Sequence, residues 1–231
     1  MSVLDFRTGV PLLLSVNAGY VDTSGFLALQ GLFTAHITGN FVTIGAALAL
    51  GTSGATAKLL ALPVFCIVVI ATRLIGTALS RHATLAFEAL IGVKLVLLIM
   101  GAVLAIRFGP FHDGDSREAI LTGMALVATM AIQNAVHRIH LASAPPSTLM
   151  TGPTTQVMID IADRIYPGGK GELPPSSRLV EMSFNVLAFA LGCGMAALLF
   201  IHIGVWCLTV PPVLIAAALL LRAIGRPASA S

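Results

Sequence analysis

Charge is scarce in this sequence. Of its 231 residues, 13 are Lys or Arg and 10 are Asp or Glu, together 10% of the chain. An ordinary soluble domain carries roughly 25%. So few charges would leave the surface of a globule this size apolar and prone to association. A soluble protein is therefore excluded, and the 57% hydrophobic content excludes disorder. Cysteine is sparse too. Cys66, Cys193 and Cys207 lie in apolar runs with no CxxC pairing, so they indicate small core hydrophobes rather than a disulfide frame or a zinc site. HExxH, GxSxG, P-loop and GxGxxG patterns are all missing, which argues against an enzyme and against a nucleotide cofactor. The pI is near 9.0, yet the basic excess is only +3. That is too small for a nucleic-acid-binding surface and fits the Lys/Arg bias of cytoplasmic loops in membrane proteins.

What the chain has in quantity is apolar sequence, with a mean hydropathy of +0.95. A bilayer core needs about 20 mostly apolar residues in a helix. Six stretches qualify: 10–33, 59–80, 84–107, 117–141, 179–201 and 203–222. Two shorter segments lie between them. Segment 38–51 is apolar but short, and segment 151–166 carries Asp160, Asp163 and Arg164. Both are expected to be half-helices or re-entrant segments supported by neighbouring protein. The fold class expected is an all-α, polytopic transmembrane bundle of six long spans plus two half-helices, in one transmembrane domain covering 1–231. Arg7 before an apolar run resembles a signal peptide, but the run continues to Phe33, past the cleavage-like Val16-Asn17-Ala18.

Lys/Arg placement orients the chain. With six spans, one face collects eight basic residues (Arg7, Arg81, Arg138, Arg164, Lys170, Arg178, Arg222 and Arg226) and the other three (Lys58, Arg107 and Arg117). With eight spans the split is nine to two. Both versions place both termini in the cytoplasm of an inner-membrane protein, so charge orients the termini without counting the spans.

The two halves echo each other. Gly19-Tyr20-Val21-Asp22 is followed by Thr38-Gly39-Asn40, and Ala131-Ile132-Gln133-Asn134 by Thr151-Gly152-Pro153. Asp22 to Thr38 is a gap of 16 and Asn134 to Thr151 a gap of 17. In each half a span with a polar patch leads to a Thr-Gly pair, a short helix and a two-span hairpin. The repeats cover approximately 10–107 and 117–222. Three spans per half makes the repeat inverted, as is common in secondary transporters; four per half makes it parallel. The charges in 151–166 favour the inverted form.

The run 18–22, the stretch from Phe33 to the Thr-Gly-Asn at 38–40, the triplet Gln133-Asn134-Ala135 and the later Thr151-Gly152 together resemble the YoaK-like family of bacterial membrane proteins. The resemblance covers almost the whole chain. It implies an integral membrane protein of about this size, usually read as six-spanning, and no established substrate. Pro153 departs from a symmetric pattern because it removes a backbone donor next to the second Thr-Gly.

The candidate site is assembled from these motifs. An Asp at a helix centre costs about 2.5–3.5 kcal/mol on insertion scales, so Asp22 is expected either to couple a proton or cation or to cap a break in the helix. Ser15, Gly19 and Asp22 share a helix face. Thr38, Gly39, Asn40, Thr151 and Gly152 read as helix starts whose N–H groups bind an anion or a polar group at mid-membrane, or as plain caps. Gln133 and Asn134 serve as orienting amides or interhelical hydrogen bonds. Arg73 and Glu88 are placed to pair, Lys94 to snorkel or to join the polar centre, and Pro211-Pro212 to kink the last span. Glu181, Asn185 and Gly192 line one face, and Trp206 and Tyr166 suit interface anchors. His137 and His140 lack a completing carboxylate, so no metal site is expected. The partners expected are the lipid bilayer and a small polar or anionic substrate, with a homo-oligomer left open and no nucleic acid. The function expected is a small secondary transporter or permease with a polar midplane site. The alternative is a non-transporting scaffold or sensor partner, with an intramembrane enzyme a distant third.

Overall fold

In the computed structural model every described element is a helix. The residues described are 6–79, 83–148, 150–166 and 175–224. The order is α1 (Phe6–Ala28), α2 (Gly39–Leu50), α3 (Ala55–Ala78), α4 (Ala83–Phe108), α5 (Arg117–His140), α6 (Thr151–Ile165), α7 (Ser176–Ile203), a 3-10 turn (Gly204–Thr209) and α8 (Val210–Ile224). Arg81, Lys170 and Arg226 of the charge count lie outside the described residues.

Four stretches are long and apolar enough to cross a membrane by length and composition: Ala55–Ala78, Leu85–Phe108, Arg117–His140 and Ser176–Ile224. The last includes α7, the 3-10 turn and α8. Helix α1 falls outside this set because Ser15, Asn17, Asp22 and Ser24 dilute its hydropathy, yet all four are buried. An inner helix can afford polar groups where neighbouring helices satisfy them. Helix α5 is the other inner element: 78% of its most apolar window is buried, against 17% for α3.

Contacts set the helix directions. Helices α1 and α7 run parallel: Ser15 meets Asn185, and one turn on Gly19 lies against Phe189. A Cβ at Gly19 would strike the Phe189 carbonyl, and one at Gly192 would strike the Val16 carbonyl. Glycine at both positions is what lets the two backbones touch. Helices α3 and α5 also run parallel: Gly54 before α3 lies against Gly114 before α5, and Gly76 lies beside Ile139 near the other ends. Helix α5 is antiparallel to α1, since Gly25 abuts Leu126 while Gln133 reaches the Leu14 carbonyl. Helix α8 descends along α1 in the opposite sense: Tyr20 donates to the Cys207 carbonyl and Asn17 to that of Pro211.

Two expected spans are shorter than the sequence suggested. The first ends at Ala28 rather than Phe33, because Gln30 (φ 54°) and Gly31 (φ 81°) turn the chain through the left-handed region. The last helix begins at Val210 rather than near Ile203. Pro211 and Pro212 therefore sit in its first turn, where a missing N–H costs nothing, and do not kink a span. The freed chain after α1 is fastened at one end of the bundle. Gln30 donates to the Phe111 carbonyl, and the Lys58 ammonium donates to the Gln30 carbonyl at 2.8 Å.

At the same end, the loop joining α4 to α5 caps α3. Asp115 accepts from the Gly54 and Ala57 backbone N–H groups at 2.9 and 3.0 Å. Partial burial alone would raise its pKa. The N–H groups of Ala57, Gly54 and Thr56 outweigh this and hold the carboxyl below its usual range. A depressed carboxylate stabilises the fold above its unfolded pKa, and the contribution fades as pH falls through the folded value. Asp115→Asn is thus expected to cost about 1 kcal/mol at neutral pH, a typical capping loss. In detergent melts the gap between variant and parent should close as pH drops below the ordinary carboxylate range.

Candidate functional site

Two polar centres occupy the inner helices, and in each a loop folds back onto the helix that precedes it. The first is built on Asp22. One carboxylate oxygen accepts from the backbone N–H of Thr34 (2.8 Å) and of Ala35 (2.7 Å), and from the Thr34 hydroxyl (3.3 Å). The other oxygen meets His36 Nδ1 at 2.6 Å. Asp22 is 4% exposed and thus out of water. Hydrogen bonds to a charged group contribute about 1.5–3 kcal/mol each, enough to offset the insertion cost of the carboxylate. Asn40 closes the same loop by accepting from the Phe33 N–H and donating to the Phe33 carbonyl.

Beside Asp22 lies a cavity of about 210 Å³, lined by Asp22, Thr23, Phe26, Leu27 and Phe33. Phe26 and Phe33 stand 4.8 Å apart between ring centres. His36 sits behind this wall, edge-on to Phe33 and to Phe189 of α7.

The second centre is built on α5. Thr148 donates to the Asn134 amide oxygen at 2.6 Å, and the Gln133 amide donates to Leu14 O and to Ser147 Oγ. The Gln133 amide oxygen accepts from Lys94 Nζ, which also donates to Asn17 Oδ1 at 2.9 Å. Lys94 is fully buried and donates to two neutral amides. It joins the polar centre and does not snorkel. Asn17, Lys94, Gln133 and Ser147 thus tie α1, α4, α5 and the loop after α5 into one network. The Pro211 carbonyl of α8 is the acceptor for Asn17.

The Thr-Gly helix starts are placed differently from expectation. Thr38 has helical backbone angles (φ −69°, ψ −21°) and makes no capping hydrogen bond through its side chain. The N–H groups of Gly39, Asn40 and Phe41 are already taken by the His36, Ile37 and Thr38 carbonyls. Thr151 and Gly152 open α6 on an exposed face, and Gly152 has open space where a side chain would be. Helix α2 packs on α3 and α6 on α7, and α2 and α6 do not touch. The two starts therefore do not share one pocket. Asp22 and Asn40 meet the same loop; Gln133 and Asn134 meet the other. Glu88 faces Arg222 of α8 at 4.0 Å, where the sequence suggested Arg73, and Arg222 also lies over the Phe87 ring. Asp160 on α6 is buried, with one oxygen held by Gln156.

His36, Asn17, Ser147 and Thr148 are site residues that the sequence motifs did not single out. A signal for three of them was present. His36 follows Asp22 by fourteen residues, Ser147 follows Gln133 by fourteen, and Thr148 follows Asn134 by fourteen. A polar residue at that spacing is what a loop returning to its own helix requires.

A helical bundle of this hydropathy, with buried polar centres on its inner helices, is an integral membrane protein. The chain belongs to the family described as "Protein of unknown function (DUF1275)", which matches residues 10–221. It is similar to "UPF0700 transmembrane protein YoaK" of Bacillus subtilis (strain 168), 30% identical over 172 residues, covering 72% of each chain. No solved structure matches it.

Removing one member of a buried polar pair costs more than removing both. Gln133→Leu is expected to lower the detergent melting temperature more than Lys94→Met, because it strands an ammonium rather than amide oxygens. The Lys94→Met/Gln133→Leu double variant should melt above Gln133→Leu alone, with a coupling of about 1–3 kcal/mol.

Proposed function

We propose that this protein is a small secondary transporter that crosses the membrane six times, through α1, α3, α4, α5, α7 and α8, with both termini in the cytoplasm. The observation that carries this proposal is the pair of loops returning to their own helices. After α1, residues 34–36 bind Asp22; after α5, residues 147 and 148 bind Gln133 and Asn134. The helix packing has the same symmetry. The parallel pair α1 and α7 is matched by α5 and α3, and the antiparallel pair α1 and α8 by α5 and α4. Since α1 and α5 run in opposite senses, these matches support an inverted repeat of approximately 10–107 and 117–222. Such repeats place discontinuous helices and a polar site near the bilayer midplane. Asp22 is then the charged group of the site, with Gln133, Asn134 and Asn40 holding the loops that flank it. Thr38, Gly39, Thr151 and Gly152 serve the re-entrant turns.

A non-transporting scaffold is the second reading, and one observation favours it: both oxygens of Asp22 already have partners within the chain. The two readings differ in whether the site changes sides. With Cys66, Cys193 and Cys207 replaced by Ala, a Thr23→Cys variant places one thiol in the cavity wall. A membrane-impermeant maleimide should label it both in right-side-out and in inverted vesicles if the protein alternates. Labelling from one side alone, or from neither, would favour the scaffold.

A further inference from the structure

The cavity beside Asp22 has a lining with a definite chemical preference. Its walls are one carboxylate, the Thr23 side chain, two phenyl rings and a leucine, and among the described residues no Lys or Arg lines it. Lys94, buried in the protein core, is turned to Asn17 and Gln133 instead. The volume of about 210 Å³ corresponds to roughly seven waters at ~30 Å³ each. An anion is disfavoured by the carboxylate. A bare metal ion needs about six oxygen ligands, which these walls do not supply. An ion with an apolar body and a single delocalised positive charge suits both the carboxylate and the ring faces.

The carboxylate has a second cationic partner available. His36 lies edge-on to Phe33, with Nδ1 against the second carboxylate oxygen of Asp22. A protonated His36 neutralises Asp22. A neutral His36 leaves an uncompensated negative charge at the cavity wall. The titratable groups facing His36 are Asp22 from α1 and, beyond it, the Cys193 thiol of α7, which feels the Asp22 charge; the Phe33 and Phe189 rings flank it. One carboxylate in a low-dielectric site is balanced by one positive charge, either the imidazolium or a bound cation.

We infer that the Asp22 cavity binds a small monovalent organic cation, and that the cation exchanges with the proton held by the His36–Asp22 pair. The inference rests on the transporter reading only for its use in flux; binding itself is a separate property. On binding, the imidazolium proton leaves to bulk water and the cation takes its place as counter-charge. Net charge at the site is unchanged. In a transporter this makes the exchange a proton/cation antiport with one proton against one cation.

Benzyltrimethylammonium is the suitable probe, being permanently charged, unable to titrate and close to the cavity in size. Binding to the purified full-length protein in detergent is measured by calorimetry from pH 5 to 9.5. Affinity should rise about tenfold per pH unit while His36 is protonated, then level off. Titration in weak buffer should release up to one proton per cation bound. His36→Gln, which keeps a hydrogen-bonding group but cannot titrate, should bind with pH-independent affinity and release no proton. Phe26→Ala should weaken binding several-fold without changing the pH slope. Phenylacetate, of similar size and opposite charge, should not bind. Absence of binding by the parent protein, a pH slope retained in His36→Gln, or preference for phenylacetate would each overturn the inference. Such a failure leaves the transporter reading untouched if the Thr23→Cys thiol still labels from both sides of the membrane. One-sided labelling with cation binding intact would instead remove the transport step and keep the site.

Discussion

The structure depends on how one carboxylate is paid for inside an apolar bundle. Among the described residues, Asp22 is paired with His36 and with no lysine or arginine. It recruits the backbone N–H groups of Thr34 and Ala35 and the ring of His36, all from the segment that follows its own helix. To deliver those donors the chain must leave α1 early, turn through Gln30 and Gly31, and dip back to the level of Asp22. The ending of α1 at Ala28, the depth of the loop and the point where α2 starts are consequences of that single requirement. A loop buried in this way is tolerated at membrane depth only because its polar groups are met by protein.

The second half solves a related problem with amides. Gln133 and Asn134 hold the Ser147–Thr148 segment much as Asp22 holds residues 34–36, but they carry no charge. The charge on that side is Lys94, which the amide oxygens of Gln133 and Asn17 receive. The two polar centres are thus chemically unequal, one anionic and the other a cation-bearing amide network. That inequality leaves a carboxylate on a cavity wall and directs the lysine to amides instead.

Much of the helical architecture was legible because hydropathy reads directly as burial in lipid or protein. The helical class and the short segments 38–51 and 151–166 follow from length and from Asp160, Asp163 and Arg164 alone. Asp22 stood out because an intramembrane carboxylate is costly. The ends of the first and last spans were not legible. Apolar residues from Leu29 to Phe33 look like continuing helix, and the left-handed turn at Gln30 and Gly31, with the loop contacts of Asp22, Asn40 and Lys58, draws them out of it. The surroundings of Thr38 were not legible either: it stands at the N-cap position of α2 without a side-chain cap bond, and the carbonyls of residues 36–38 take the first N–H groups of the helix. His36 and Asn17 were overlooked because a single polar residue has no periodicity, and its importance lies in a partner far along the chain or on another helix. Glu88 was matched to Arg73 by depth; lateral position, which depth does not give, puts it against Arg222.

The central claim is that the Asp22 carboxylate holds the loop after α1 inside the bundle. Amide hydrogen exchange on the protein in lipid nanodiscs tests it most directly. In the parent protein the Thr34 and Ala35 amides should exchange slowly, at rates comparable to the interior of α5. In Asp22→Asn, which weakens the acceptor without changing its shape, those two amides should exchange at least tenfold faster while α4 and α5 keep their protection. Unchanged protection of Thr34 and Ala35 in that variant would contradict the claim.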